Sequence, residues 1–110
     1  MFRVMIGLTV CLGVAGAAAA QNAKVAAGEK AFAAQKCSLC HSVAGKGNAK
    51  GPLDGVGSKL SDTEIRSWIT DAKGMTEKTK AARKPAMKAY TLPKEDVDAL
   101  TAYLVTMKKK

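Results

Sequence analysis

Residues 35–43 read QKCSLCHSV, and three of them limit what the rest of the chain can become. Cys37 and Cys40 stand three positions apart, and His41 follows the second thiol directly. Such a set can hold a metal, form a redox-active disulfide, or do neither, and each use needs a different setting. A dithiol of the thioredoxin kind needs a βαβ unit, and no strand-like alternation is visible. A structural zinc site needs about four ligands. His41 is the single histidine of the chain, and the one other cysteine is Cys11. A disulfide across two intervening residues would close a very small loop and constrain little of the unfolded chain.

The remaining use of C-x-x-C-H is the covalent attachment of a c-type haem. Two intervening residues match the separation of the two porphyrin vinyl groups that the thiols add across. The adjacent imidazole can then reach the iron. One such motif means one haem.

The first 20 residues, MFRVMIGLTVCLGVAGAAAA, carry one basic residue, Arg3, then an apolar run without acids, then small residues before Gln21. This is the layout of a secretory signal, with cleavage expected after Ala20. The apolar run of about 15 residues is short against the roughly 20 that span a bilayer. Cys11 follows Val10 rather than a small residue, which argues against lipidation. Cleavage would leave 21–110 as one domain, exported to the periplasm and not stably inserted in the membrane. Its only cysteines would be the motif pair.

That domain would carry 17 Lys and Arg (18 less Arg3) against 9 Asp and Glu, a surplus of +8. Such a surplus favours acidic partners. Export disfavours nucleic acid among them and points to acidic docking surfaces of membrane or periplasmic redox proteins. The same charge also keeps a monomer soluble.

Core material is scarce. After Ala20 the aromatics are Phe32, Trp68, Tyr90 and Tyr103, and alanine outweighs the large aliphatics. A domain of ~90 residues already buries a modest share of its surface. A centre filled by something other than side chains is expected.

The spacing predicts helices and long irregular connections. A first helix is expected over Ala23 to Lys36, with Val25, Gly28 and Phe32 on one face. Residues 42–59, rich in glycine, are expected to be loop. Ser61 and Glu64 form a capping box for a helix whose apolar face is Ile65, Trp68 and Ile69, stopping at Gly74. A short helix is expected around Glu77 to Arg83, limited by Pro85. A last helix begins near Pro93, with Glu95, Asp96 and Asp98 near its start. Its inner face is Val97, Leu100, Tyr103 and Leu104, and its lysine-rich end, Lys108 to Lys110, is expected to fray.

A haem iron has a second axial position, which electron carriers often give to methionine. Outside the export segment stand Met75, Met87 and Met107. Met107 lies at the C-terminal end. Met87 lies in KPAMKAY, where Pro85 restrains an irregular stretch able to wrap a flat ring. Met75, after Gly74, is the second choice. A methionine taken alone is more often core filler.

Gly28 and Phe32 ahead of CSLCH, Gly51-Pro52 with Leu53 after it, Met87 with Tyr90, and the closing DALTAYL form a connected pattern. In it the chain resembles the small class I c-type cytochromes over nearly all of 21–110. The resemblance implies an all-α fold of three to five helices around one covalently attached haem, with the N- and C-terminal helices crossing at Gly28, Phe32, Leu100 and Tyr103. It implies Cys37 and Cys40 as haem attachment points, and His41 and Met87 as iron ligands. Pro52 would offer its carbonyl to the ring N–H of His41. Two departures stand out: the Gly-Pro to Leu spacing is one residue shorter than usual, and Lys88 stands where the family has proline.

The resemblance implies a soluble single-haem electron carrier rather than an enzyme. Lys36, Lys46, Lys50, Lys84 and Lys88 lie near the haem motifs in sequence and could steer docking. The alternative is a five-coordinate haem protein for gas binding or peroxide reduction, which requires that neither Met87 nor Met75 ligates.

Overall fold

A computed structural model describes residues 13–108 of the 110, with side chains described from Ala19 onward. Residues 1–12 of the expected export signal lie outside the described residues. The chain runs α1 (Gly13–Ala34), a 3-10 turn (Cys37–Leu39), β1 (Ser42–Val43), β2 (Lys46–Gly47), α2 (Val56–Lys59), α3 (Asp62–Thr70), α4 (Ala72–Thr79) and α5 (Lys94–Val105). The all-α expectation holds, apart from one small hairpin. Among the described residues no helix is long and apolar enough to cross a membrane.

α1 begins earlier and ends sooner than expected. The run Ala17–Ala20 has the highest helix propensity available and nothing interrupts it. At the other end Lys36 takes a left-handed backbone (φ 55°), which turns the chain before Cys37. Gly28 is where α1 crosses α5. A Cβ there would strike the Ala99 carbonyl and approach Tyr103 Cβ to 2.6 Å, so only glycine allows the approach. One turn on, the rings of Phe32 and Tyr103 meet edge to face, 5.9 Å apart at 69°.

The core is small, as its composition predicted. Phe32, Ile65, Ile69, Val97, Leu100 and Leu104 make one buried cluster, drawn from α1, α3 and α5. α3 opens on the expected capping box, in which Ser61 Oγ accepts from Glu64 N (3.1 Å) and Glu64 Oε1 from Ser61 N (3.1 Å). Asp98 on α5 binds Arg66 of α3, tying the two helices together, and takes a hydrogen bond from Lys94 of its own helix at 3.0 Å.

Four local expectations give way. α3 ends at Thr70, before Gly74, because Asp71 starts α4 by accepting the Gly74 N–H at 3.2 Å. The helix expected over Glu77 to Arg83 therefore lies earlier, at Ala72–Thr79, and stops at Lys80 in a left-handed cap. The loop of 42–59 contains a hairpin, Ser42 opposite Gly47 and Val43 opposite Lys46, closed by Ala44 and Gly45, both at positive φ. Finally, of the end expected to fray, Lys108 is held, as is Met107 before it, while Lys109 and Lys110 lie outside the described residues. The Met107 carbonyl accepts from Gly57 N (2.9 Å) and Lys108 Nζ donates to the Gly57 carbonyl (2.8 Å).

Candidate functional site

The attachment motif is one tight turn. The Cys37 carbonyl accepts from both Cys40 N (3.2 Å) and His41 N (2.9 Å). This winding puts two thiols on a single turn, with Cys37 half-buried and Cys40 exposed, both free. Burial pushes the Cys37 thiol up and nearby Cys40 adds to this, while its backbone hydrogen bond and the Lys88 charge oppose.

His41 is oriented by a carbonyl. Its Nδ1 lies 3.1 Å from the Gly51 oxygen. A carbonyl can only accept, so the ring proton sits on Nδ1 and the Nε2 lone pair is left for a metal. Burial lowers the His41 pKa and the Arg83 charge adds to this, against the Gly51 hydrogen bond, so the neutral imidazole is favoured.

The carbonyl at the ring belongs to Gly51, one residue before the expected Pro52. A short parallel bridge between Ser42 and Pro52 decides this. Ser42 N donates to the Gly51 carbonyl (3.0 Å) and Leu53 N to the Ser42 carbonyl (2.8 Å). Successive carbonyls of an extended segment point opposite ways. Gly51 thus faces the motif and the Pro52 carbonyl faces away, while Pro52 itself is exposed.

The segment after α4 folds back toward the motif. Tyr90 N donates to the Ile69 carbonyl at 3.1 Å, and Lys88 Nζ lies 5.1 Å from the centre of the Tyr90 ring. The Lys88 charge is felt at Cys37. Burial raises the Tyr90 hydroxyl pKa, and both thiols add to this. The Arg83 guanidinium lies against Gly51 Cα, beside the Cys40 carbonyl. Met87 lies between Arg83 and Tyr90, half-buried and outside any helix, whereas Met75 is buried on α4 and Met107 packs against the core.

An open, mostly apolar cleft of about 310 Å³ lies among Pro52, Val56, Leu60 and Trp68, with Asp54, Lys59 and Thr79 at its edge. Two free thiols on one turn and a neutral imidazole with Nε2 free fit a covalently held haem. They do not fit zinc by themselves. Among the described residues no three His, Cys, Asp or Glu side chains gather around a common metal position. Sequence reasoning missed the contacts of Gly51, of Arg83 and of Asn48, whose Nδ2 donates to the Leu39 carbonyl at 3.1 Å. The one available signal was glycine beside asparagine in a turn-rich stretch, which reports turns without saying what they hold.

No curated protein and no solved structure matches the chain. The protein-family model described as Cytochrome c matches residues 25–108, from within α1 to the held C-terminal end. That span includes both thiols, His41, the Gly51 carbonyl and Met87. The chain therefore belongs to the cytochrome c family, as a class I monohaem c-type cytochrome whose haem is covalently bound and whose work is electron transfer.

Proposed function

We propose that this protein is a soluble, periplasmic single-haem electron carrier in which His41 and Met87 are the axial ligands and Cys37 and Cys40 the attachment points. The haem, when bound, supplies an iron that gains and loses one electron between the ferric and ferrous states. The carrying observation is the His41 Nδ1–H bond to the Gly51 carbonyl at 3.1 Å, which fixes the tautomer and the ring direction. Met87 supplies a neutral thioether, which stabilises the less charged ferrous state and raises the potential. Pro52 contributes a φ fixed by its ring, which restrains the residue after Gly51.

The export signal, removed after about Ala20, would deliver the chain to the compartment where its thiols meet haem. Lys36, Lys46, Lys50, Lys84 and Lys88 are all exposed. They steer the protein onto acidic patches of membrane or periplasmic redox proteins and leave it a monomer. With both axial positions filled by protein, no site remains for substrate, and the protein is not an enzyme.

The test is spectroscopic, on the exported protein. A pyridine haemochrome of the kind given by haem with two thioether links is expected, together with the far-red methionine-to-iron charge-transfer band of the ferric form. A haemochrome with that band absent, and fast carbon monoxide binding by the ferrous form, would replace this reading with the five-coordinate one.

A further inference from the structure

One side chain joins the two halves of the site. Asn48 directly follows β2, and its backbone N–H is shared between the Ser38 and His41 carbonyls, each at 3.1 Å. Its Nδ2 donates to the Leu39 carbonyl at 3.1 Å. On its other side, Oδ1 accepts from Lys50 N (3.0 Å) and its carbonyl accepts from Gly51 N (3.1 Å). A single residue thus touches three carbonyls of the attachment turn and two amides of the turn that carries Gly51.

The neighbouring residue has no room for anything but this contact. Gly47 has φ +107°, and a Cβ on it would strike the His41 carbonyl and come within 3.2 Å of Ser38 Cβ. The backbone of 47–48 is therefore seated directly on the motif. The Gly51 carbonyl receives two donors, Ser42 N at 3.0 Å and His41 Nδ1 at 3.1 Å, so its direction matters twice.

We infer that Asn48 is a positioning residue for the iron ligand: its side chain, bonded to the Leu39 carbonyl and to Lys50 N, braces the turn whose Gly51 carbonyl meets His41 Nδ1 and so sets how strongly Nε2 donates. This rests on the reading of His41 as a haem ligand. The physical chain is short. A firm Nδ1–H···O bond makes the imidazole a stronger donor and favours the more highly charged ferric state. An alanine at 48 keeps the backbone bonds but removes the anchors to Leu39 and Lys50. The 48–51 turn then loosens, the carbonyl drifts, Nε2 donates less, and the reduction potential rises.

The experiment compares the haem-loaded wild type with Asn48→Ala and with Ser61→Ala, a capping variant remote from the motif that loses stability only. The readouts are the midpoint potential and the hydrogen-exchange rate of the His41 ring N–H, followed by its paramagnetically shifted proton resonance. Expected for Asn48→Ala are a higher potential and ring exchange about tenfold faster. Ser61→Ala should match wild type in both, even as it melts earlier. If Asn48→Ala does not accumulate with haem, Asn48→Ser is read the same way, since its shorter side chain can take the Lys50 amide without reaching Leu39. Wild-type potential and wild-type exchange in a loaded Asn48 variant would overturn the inference and leave the residue a structural one. A wild-type protein without a paramagnetically shifted ring proton would instead remove the ligand assignment, and this inference with it.

Discussion

Two methionines test how far a residue's surroundings decide its role. Met75 sits on α4 with 8% of its surface exposed, packed as core. Met87 is half-buried in an irregular segment whose neighbours on both sides, Arg83 and Lys88, bear on His41 and Cys37. A side chain on that segment can turn toward the haem without unpacking a helix. Met87→Ala should abolish the far-red band of the ferric protein and open the ferrous iron to carbon monoxide. Met75→Ala should keep the band and cost roughly 2–5 kcal/mol of stability, as buried methionine truncations do. A band that survives Met87→Ala and vanishes with Met75→Ala would reverse the assignment. The two residues have the same chemistry in the sequence, and restraint by Pro85 was a weak reason to prefer one. The family pattern of methionine before an aromatic gave the stronger reason.

At the scale of elements, the α1–α5 crossing and the Arg66–Asp98 ion pair between α3 and α5 hold the helices together. Gly28→Ala forces a methyl group into the Ala99 carbonyl and Tyr103. Overpacking of this kind costs about 1–3 kcal/mol, to be read as a lowered denaturation midpoint with the haem spectrum intact. Asp98 carries a prediction in pH. The Arg66 hydrogen bond, and then that of Lys94, hold its carboxyl below the ordinary value. A depressed folded pKa gives stability that is present above the unfolded value and lost as pH falls through the folded one. Asp98→Asn should therefore melt below wild type near neutral pH, and the gap should close on acidification below about pH 4. A gap that stays constant to low pH would show that the pair contributes packing rather than charge. The helices themselves were legible where spacing and caps agreed, as at Ser61–Glu64 and Val97–Leu104. The boundary at Thr70 was not, because Asp71 capping α4 competes with Gly74 as a stop, and both are local signals of similar strength.

Over the whole molecule, six buried apolar side chains hold three helices together. That is little to set against the chain entropy of a domain of this size. The covalently bound haem is the apolar mass that completes the centre. The Cys37→Ser, Cys40→Ser chain should show mostly unfolded far-ultraviolet circular dichroism, and native-like helix content in it would refute that account. The charge surplus works at the same scale. Reaction rates with an acidic redox partner should fall as ionic strength rises, since exposed charges are screened beyond about 10 Å at 0.1 M salt. Rates flat across that range would remove Lys36, Lys46, Lys50, Lys84 and Lys88 from a docking role.

What the residues alone determined is the chemistry. C-x-x-C-H, a single histidine and a thin core point to a covalent haem as the use of the motif, because these depend on residue type and near spacing, whereas the helix crossing at Gly28, Phe32 and Tyr103 came from the resemblance to a family. What tertiary structure decided is which group meets which across the loop. Gly51 rather than Pro52 faces His41 because the Ser42 bridge sets the alternation of carbonyls. Asn48 matters because the chain folds back onto the motif at Gly47, and Arg83 because a segment 32 residues beyond Gly51 returns to it. Hydrogen-bond partners separated by a turn of unknown register leave no periodic trace in a sequence, so only the folded chain could assign them.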